Sequence, residues 1–232
     1  MEGSIQHNLE QVRQRMQQAA ERAGRNVQTV QLIAVSKMAD VSAIQQAFDL
    51  GMRDFGENRS PQLKTRQLLW PQANWHMIGR LQTNKVKEAV EHACLIHSVD
   101  RFALAEEIDR RAEKLGKIMP CLLQVNIAEE PQKAGIREME AADFLAAAQE
   151  LKHICFRGLM TMAPDVPPQE LESVRPVFRE LRRTAEKLKA FSWKNSEMKE
   201  LSMGMSNDFE IAIEEGATMI RVGSAVFQNR EK

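Results

Sequence analysis

Short β-rich runs alternating with longer amphipathic runs predict an α/β protein, and eight such repeats predict a (β/α)8 TIM barrel with an extra N-terminal helix. Three observations carry this. Strand candidates are separated by helical patterns, which implies a parallel sheet covered by helices. Several helical runs stop at a glycine, as at Gly51, Gly116 and Gly216, the residue suited to a left-handed cap. No G-x-G-x-x-G follows the first strand candidate, which tells against the runner-up, an open doubly wound sheet.

Taken in order, Ile5, Leu9, Val12, Met16, Ala19, Ala20 and Ala23 recur at helical spacing, and Gly24 is a natural stop. The strand candidates are Val30–Val35, Arg53–Phe55, Trp75–Ile78, Cys94–Ser98, Pro120–Asn126, Cys155–Met160, Glu200–Ser202 and Met219–Val222. The second is the weakest. Helical patterns are clearest at Val41–Leu50, Asn84–His92, Arg101–Leu115, Glu138–Leu151, Pro168–Phe191 and Asp208–Glu215. No stretch reads as a linker, and the longest loop, Ala163–Gln169, is short. Residues 1–232 are therefore expected to form one domain.

Composition excludes several function classes. Lys+Arg and Asp+Glu are 32 each, a formal net charge of zero, which argues against a nucleic-acid or polyanion binder. No apolar run is long enough to span a membrane. The N-terminus lacks a basic region followed by an apolar one, so no secretory signal is expected. Cys94, Cys121 and Cys155 are odd in number and each sits in an apolar run. Buried free thiols in the reducing cytoplasm are the expectation.

Barrel chemistry sits at the C-terminal ends of the strands. Those exits carry Ser36-Lys37, Glu57-Asn58, His76 with Gly79-Arg80, His97-Ser98, Asn126, Thr161, the run from Ser202 to Ser206, and Arg221-Val222-Gly223-Ser224. Lys37 ends an apolar run. At a barrel mouth it would be partly desolvated and its amine freed as a nucleophile; alternatively its stem lines the rim with the head in water. Ser206, Asn207 or Asp208 opens the helix Asp208–Glu215, with Glu210 at capping-box distance from Asn207. That helix start, and Gly223-Ser224 after the last strand, suit a phosphate, although both also read as ordinary caps. His76, His92, His97 and His153 lack metal-ligand spacing and read as structural, and His7 as exposed. No metal site is expected. Arg179–Lys189 reads as a solvated helix face. Met160, Met162, Met203 and Met205 read as packing at the mouth.

These residues resemble a known family. Ala34-Val35-Ser36-Lys37, Phe55-Gly56-Glu57-Asn58, Trp75 to Lys85, Lys133-Ala134-Gly135-Ile136, Gly158-Leu159-Met160, Leu201 to Asp208 and Arg221-Val222-Gly223-Ser224 occur in the order seen in the pyridoxal phosphate homeostasis protein family. The resemblance implies a fold-type III barrel like the N-terminal domain of alanine racemase. It implies that Lys37 forms the imine with pyridoxal 5′-phosphate (PLP), held as an internal aldimine. It further implies that Ser206, Gly223 and Ser224 hold the phosphate, that Arg221 faces the pyridine nitrogen, and that Asn58 lies near the ring. Members are thought to carry, buffer or regulate intracellular PLP, without established turnover, and many are monomers. The resemblance thus implies PLP as ligand, PLP-dependent apoenzymes as candidate recipients, and no catalytic residue.

Three departures stand out. Met38-Ala39-Asp40 follows the lysine where Thr or Tyr and often Pro are common. Arg59-Ser60 replaces Tyr-Val, and Phe227-Gln228-Asn229-Arg230 replaces Phe-Gly-x-Arg. The alternative function is an amino-acid racemase-like PLP enzyme. A Schiff-base aldolase acting on a phosphorylated sugar is weaker. Racemisation in the alanine racemase family uses a lysine and a tyrosine on opposite faces of the substrate, and this chain has no tyrosine. It also ends soon after the eighth strand, where a second domain would follow.

Overall fold

The computed structural model describes residues 4–228. Eight parallel strands close on themselves in chain order. They are β1 (Gln31–Val35), β2 (Asp54–Glu57), β3 (Asn74–Met77), β4 (Leu95–Val99), β5 (Met119–Gln124), β6 (Ile154–Met160), β7 (Ser196–Ser202) and β8 (Met219–Val222). The seam is β1 against β8, with Ile33 opposite Arg221. The (β/α)8 barrel expected from the alternation is the fold observed. Among the described residues, no helix is long and apolar enough to cross a membrane.

The helices are α1 (Ile5–Arg22), α2 (Val41–Asp49), α3 (Ser60–Leu69), α4 (Val86–His92), α5 (Phe102–Lys114), α6 (Ala141–Ala148), α7 (Arg175–Lys189), α8 (Phe209–Glu214) and α9 (Ser224–Phe227). Gly51, Gly116 and Gly216 all have positive φ at helix ends. Two helices were not foreseen. In α3, Leu68 and Leu69 are exposed and only Ser60 and Leu63 are buried, so its apolar periodicity is broken. The helix α9 is a single turn. The pattern over Pro168–Phe191 divides into a 3-10 segment, Pro168–Val174, and α7, with Pro176 at the start of α7. Strand β7 begins earlier than expected, because Ser196 pairs with Phe156 although its first residues are polar. A Cβ at Gly158 would overlap the Glu200 carbonyl, so this close approach of β6 and β7 needs glycine.

Side chains alternate across each strand. One phase, with Phe55, Trp75, Met77, Ile96 and Leu123, packs under the helices in a large core. The other faces the barrel axis. Its apolar part is a separate small cluster of Ile33, Leu95, Leu122, Met160 and Met219. The buried polar groups of this phase are His76 on β3, His97 on β4, Gln124 on β5, Ser202 on β7 and Arg221 on β8.

Helix α1 is amphipathic as expected, with Leu9, Val12, Met16, Ala19 and Ala20 buried. It packs outside the seam on α8 and α9. Arg15 pairs with Glu210 at 2.8 Å and Arg22 with Glu214 at 2.7 Å, and Asn8 Nδ2 donates to the Val226 carbonyl at 3.0 Å. The extra helix therefore braces the last two turns of the barrel.

Three surface expectations need correction. Cys94 is exposed and Cys155 half-buried, leaving only Cys121 fully buried; all are free thiols. Cys94 immediately precedes β4, at the barrel's N-terminal rim. His7 is half-buried. The α7 face is not simply solvated: Arg179, with Arg175, reaches the buried Glu215 at 2.9 and 3.2 Å. Asn229 and Arg230, part of one sequence departure, lie outside the described residues.

Candidate functional site

The apolar end of β1 buries Val35 and Ser36, and the chain then turns outward. Lys37 lies just past that turn and is exposed. Of the two readings of Lys37, the one with its head in water at the rim is observed, because Ser36 is the last buried residue before the chain turns outward. What fixes the lysine is its backbone. Glu57, only 1% exposed, accepts from the Ser36 hydroxyl at 2.5 Å and pairs with Arg66. Arg66 also donates to the Ser36 carbonyl at 2.5 Å and the Ala39 carbonyl at 2.9 Å. One buried ion pair thus ties down the chain on both sides of Lys37. Asp40 completes the turn by capping α2, accepting from Ala43 N–H at 2.7 Å.

The opposite corner is built by the loops after β7 and β8. Helix α8 begins at Phe209, and its N-cap Asp208 makes no side-chain cap bond. Asp208 instead accepts from Met205 N–H at 2.5 Å and folds the loop back on itself. Burial raises its carboxyl, an effect that Arg221 opposes. The expected capping box is absent, since Glu210 is drawn to Arg15 on α1. Ser206 serves the other helix: its Oγ accepts from Gly223 N–H at 3.2 Å and Ala225 N–H at 3.4 Å. With its lone pairs so used, the Ser206 O–H remains to donate. Ser224, at the start of α9, is exposed.

Arg221 joins the two corners from below. It is 4% exposed and donates to Ser202 Oγ at 2.6 Å and the Thr161 carbonyl at 2.9 Å. A guanidinium has five N–H groups, so three are left without an acceptor among the described residues. Burial pulls its pKa down to about 10, against the pull of Asp208, and it stays cationic at neutral pH. Asn58 lies across the cavity and is exposed. A Cβ at Gly79 would overlap the Asn58 backbone, so glycine there lets the loops after β2 and β3 touch.

Lys37, Asn58, Ser206, Arg221, Gly223 and Ser224 all line one cavity of about 480 Å³. That volume suits a small cofactor. Met160, Met162 and Met205 also line it, while Met203 is buried in the outer core. Asp208, read from the sequence as one of three possible starts of α8, lines it too, but Gln124 and Asp165 were not foreseen. Nor were Glu57 and Arg66, whose role depends on a contact across strands. His76 and His97, read as structural, prove to be linked: their rings are 3.0 Å apart, nitrogen to nitrogen, and His97 Nδ1 lies 2.8 Å from Ser202 Oγ. Their inward phase in β3 and β4 was the available signal. Among the described residues, no group of three His, Cys, Asp or Glu could hold a metal ion.

The profile of the alanine racemase N-terminal domain family matches residues 3–231. A pyridoxal phosphate homeostasis protein of Aquifex aeolicus is 40% identical over 225 residues, covering 96% of this chain and 97% of that protein. The solved structure of PipY from Synechococcus elongatus with PLP bound has a TM-score of 0.82 at 36% identity, covering 96% of this chain and 99% of that one. An alanine racemase of Clostridium difficile shares the fold, with a TM-score of 0.72 at 12% identity, covering 99% of this chain and 56% of that one.

The buried histidines predict a pH dependence of stability. Burial alone would lower the His76 pKa, but the hydrogen bond to Asp54, aided by Cys94, outweighs it and lifts the ring to about 9 from 6.5. A raised folded-state value stabilises fully below 6.5 and is lost as pH rises through about 9. Urea unfolding should therefore show about 3 kcal/mol lost across that window, at 1.36 kcal/mol per unit. Asp54→Asn should flatten the slope; an unchanged slope would assign the effect to another group. His97, held neutral by burial and by the nearby His76 and Arg221 charges, contributes only on the acid side.

Proposed function

The chain belongs to the alanine racemase N-terminal domain family and, within it, to the pyridoxal phosphate homeostasis proteins; from that premise we propose that it holds PLP in the cavity at the barrel mouth and serves intracellular PLP homeostasis. The observation that carries the placement is the convergence of an exposed lysine, a buried arginine and two serines from three separate segments, the exits of β1, β7 and β8, on one cavity. PLP supplies an aldehyde that condenses reversibly with a primary amine, and a phosphate that is a dianion near neutral pH. Lys37 is the amine. Ser206 and Ser224 offer hydroxyl donors beside the Gly223 turn. The unused N–H groups of Arg221 suit a ring nitrogen that accepts a hydrogen bond. Asn58 borders the ring from the other side. Residues 1–232 act as one domain in this reading.

The same geometry favours holding over turnover. A guanidinium offers only donors, so Arg221 keeps a facing ring nitrogen unprotonated. Stabilisation of a carbanion by the ring is thereby weakened. The racemase-like alternative also needs a second acid–base group, and the chain has no tyrosine to supply one. Transfer of PLP to PLP-dependent apoenzymes is compatible with an open, exposed Lys37.

Three outcomes test this reading. Borohydride treatment of PLP-loaded protein should place the pyridoxyl label on Lys37, by peptide mass mapping; a label elsewhere, with Lys37→Ala still yellow, removes the assignment. Hydrogen bonds to charged groups contribute about 1.5–3 kcal/mol, so Ser206→Ala and Ser224→Ala should each weaken PLP about tenfold or more. Pyridoxal, lacking the phosphate, should bind both variants as it binds the parent; equal losses of PLP and pyridoxal would move the phosphate site elsewhere. Incubation of the loaded protein with L-alanine in deuterated water should give no sustained α-carbon exchange above free PLP, and strong exchange would favour the enzyme reading.

A further inference from the structure

The barrel interior holds a line of buried polar groups that the proposed site does not use. Its first member is Asp54, at the start of β2, which lies 3.3 Å from His76 Nε2 and also accepts from Asn74 at 2.9 Å. His76 Nδ1 meets His97 Nε2 at 3.0 Å, His97 Nδ1 meets Ser202 Oγ at 2.8 Å, and Ser202 Oγ accepts from Arg221 at 2.6 Å. The line crosses the barrel from β2 through β3, β4 and β7 to β8. Its inner members are 4% exposed or less.

We propose that His76, His97 and Ser202 are positioning residues: as one hydrogen-bonded line they hold the Arg221 guanidinium in the orientation that presents its free N–H groups to the cavity. This rests on the reading that the cavity holds PLP with its ring toward Arg221.

Three points argue for positioning rather than for filler. Below the mouth, where Gln124 is bonded to the Ala134 carbonyl, the interior beside this line is an apolar cluster of Ile33, Leu95, Leu122, Met160 and Met219. Apolar side chains of similar size would fill the same space without the desolvation that buried polar groups incur. The line is also complete. Each imidazole uses both nitrogens, one toward each neighbour, and the whole ends on a carboxylate at one side and a guanidinium at the other. Finally, among the described residues Arg221 has just one other hydrogen-bonded anchor, the Thr161 carbonyl on Nη2. One contact would let a planar fork pivot; Ser202 on Nη1 gives the second point that fixes its plane.

Proton logic agrees with the geometry. His97 lies between His76 and Arg221, so it remains neutral and carries one ring proton. If His76 is protonated, His97 accepts at Nε2 and donates from Nδ1 to Ser202. If His76 is neutral, the direction reverses and the Ser202 hydroxyl donates to His97. Ser202 Oγ accepts from Arg221 in both arrangements, so the anchor survives either state.

The test combines one measurement on the protein without PLP with one on PLP binding. In 15N-histidine-labelled parent protein, a through-hydrogen-bond nitrogen–nitrogen coupling should connect the His76 and His97 rings, and it should vanish in His97→Gln. In binding, Ser202→Ala should weaken PLP and pyridoxal alike, each by about tenfold, and shift the visible absorption band of the bound cofactor. Ser224→Ala should spare pyridoxal. His97→Gln, which keeps an acceptor and a donor, should retain more pyridoxal affinity than His97→Leu; thermal melts of the PLP-free variants separate this from loss of fold. A parent that takes up no PLP overturns the cofactor reading and this proposal with it. A parent that binds PLP while Ser202→Ala matches it in affinity and spectrum overturns the proposal alone, as does a missing coupling between the two rings.

Discussion

A cationic guanidinium inside a closed barrel must be held by its surroundings, and much of the arrangement described above follows from that requirement. Arg221 enters the interior because inward positions on β8 alternate, so Met219 and Arg221 share a face. Left without acceptors, such a charge would destabilise the fold by several kcal/mol. Ser202, the Thr161 carbonyl and the nearby Asp208 meet it from β7 and the loops after β6 and β7. The interior is thereby divided between an apolar cluster and a polar line, and the mouth receives a fixed cation at its floor.

The mouth itself is shaped by contacts made beneath it. The Glu57–Arg66 pair fixes the turn that carries Lys37. The loop of Ser206 is fixed by Asp208 and by the amides of Gly223 and Ala225. Helix α1 braces α8 and α9 from the barrel's exterior. Backbone is held and side chains are left open, the combination expected of a site that takes up and releases a small molecule. The exposed Met38 at the same rim adds apolar surface beside the lysine.

Charge balance has a structural counterpart. Equal numbers of acidic and basic residues are spread over local pairs, many of them three or four residues apart on one helix. Pairs of that kind contribute little singly. The exceptions link separate elements: Arg175 and Arg179 to Glu215, Arg15 to Glu210, and Arg66 to Glu57. These pairs join α7 to the residue after α8, α1 to α8, and α3 to β2. The Arg15–Glu210 pair ties the two ends of the chain to each other.

The sequence by itself determined the repeat. Period-two and period-3.6 patterns are local, so the eight strands, most helices and the glycine stops were legible in it. Strand exits were legible for the same reason, and the six candidate residues do line one cavity. Helix α3 was missed because its face is mostly exposed, and the start of β7 because pairing with β6 overrides polar residues there. Only the tertiary structure decided the contacts between distant segments. Whether Lys37 is buried depends on where the β1 turn leaves the sheet. Whether Glu210 caps a helix or pairs with Arg15 depends on a helix 195 residues away. His76, His97 and Ser202 are joined by barrel closure, which brings together side chains up to 105 residues apart. Local patterns encode which face a residue takes, whereas the partner it meets there is set by how the closed sheet aligns its strands.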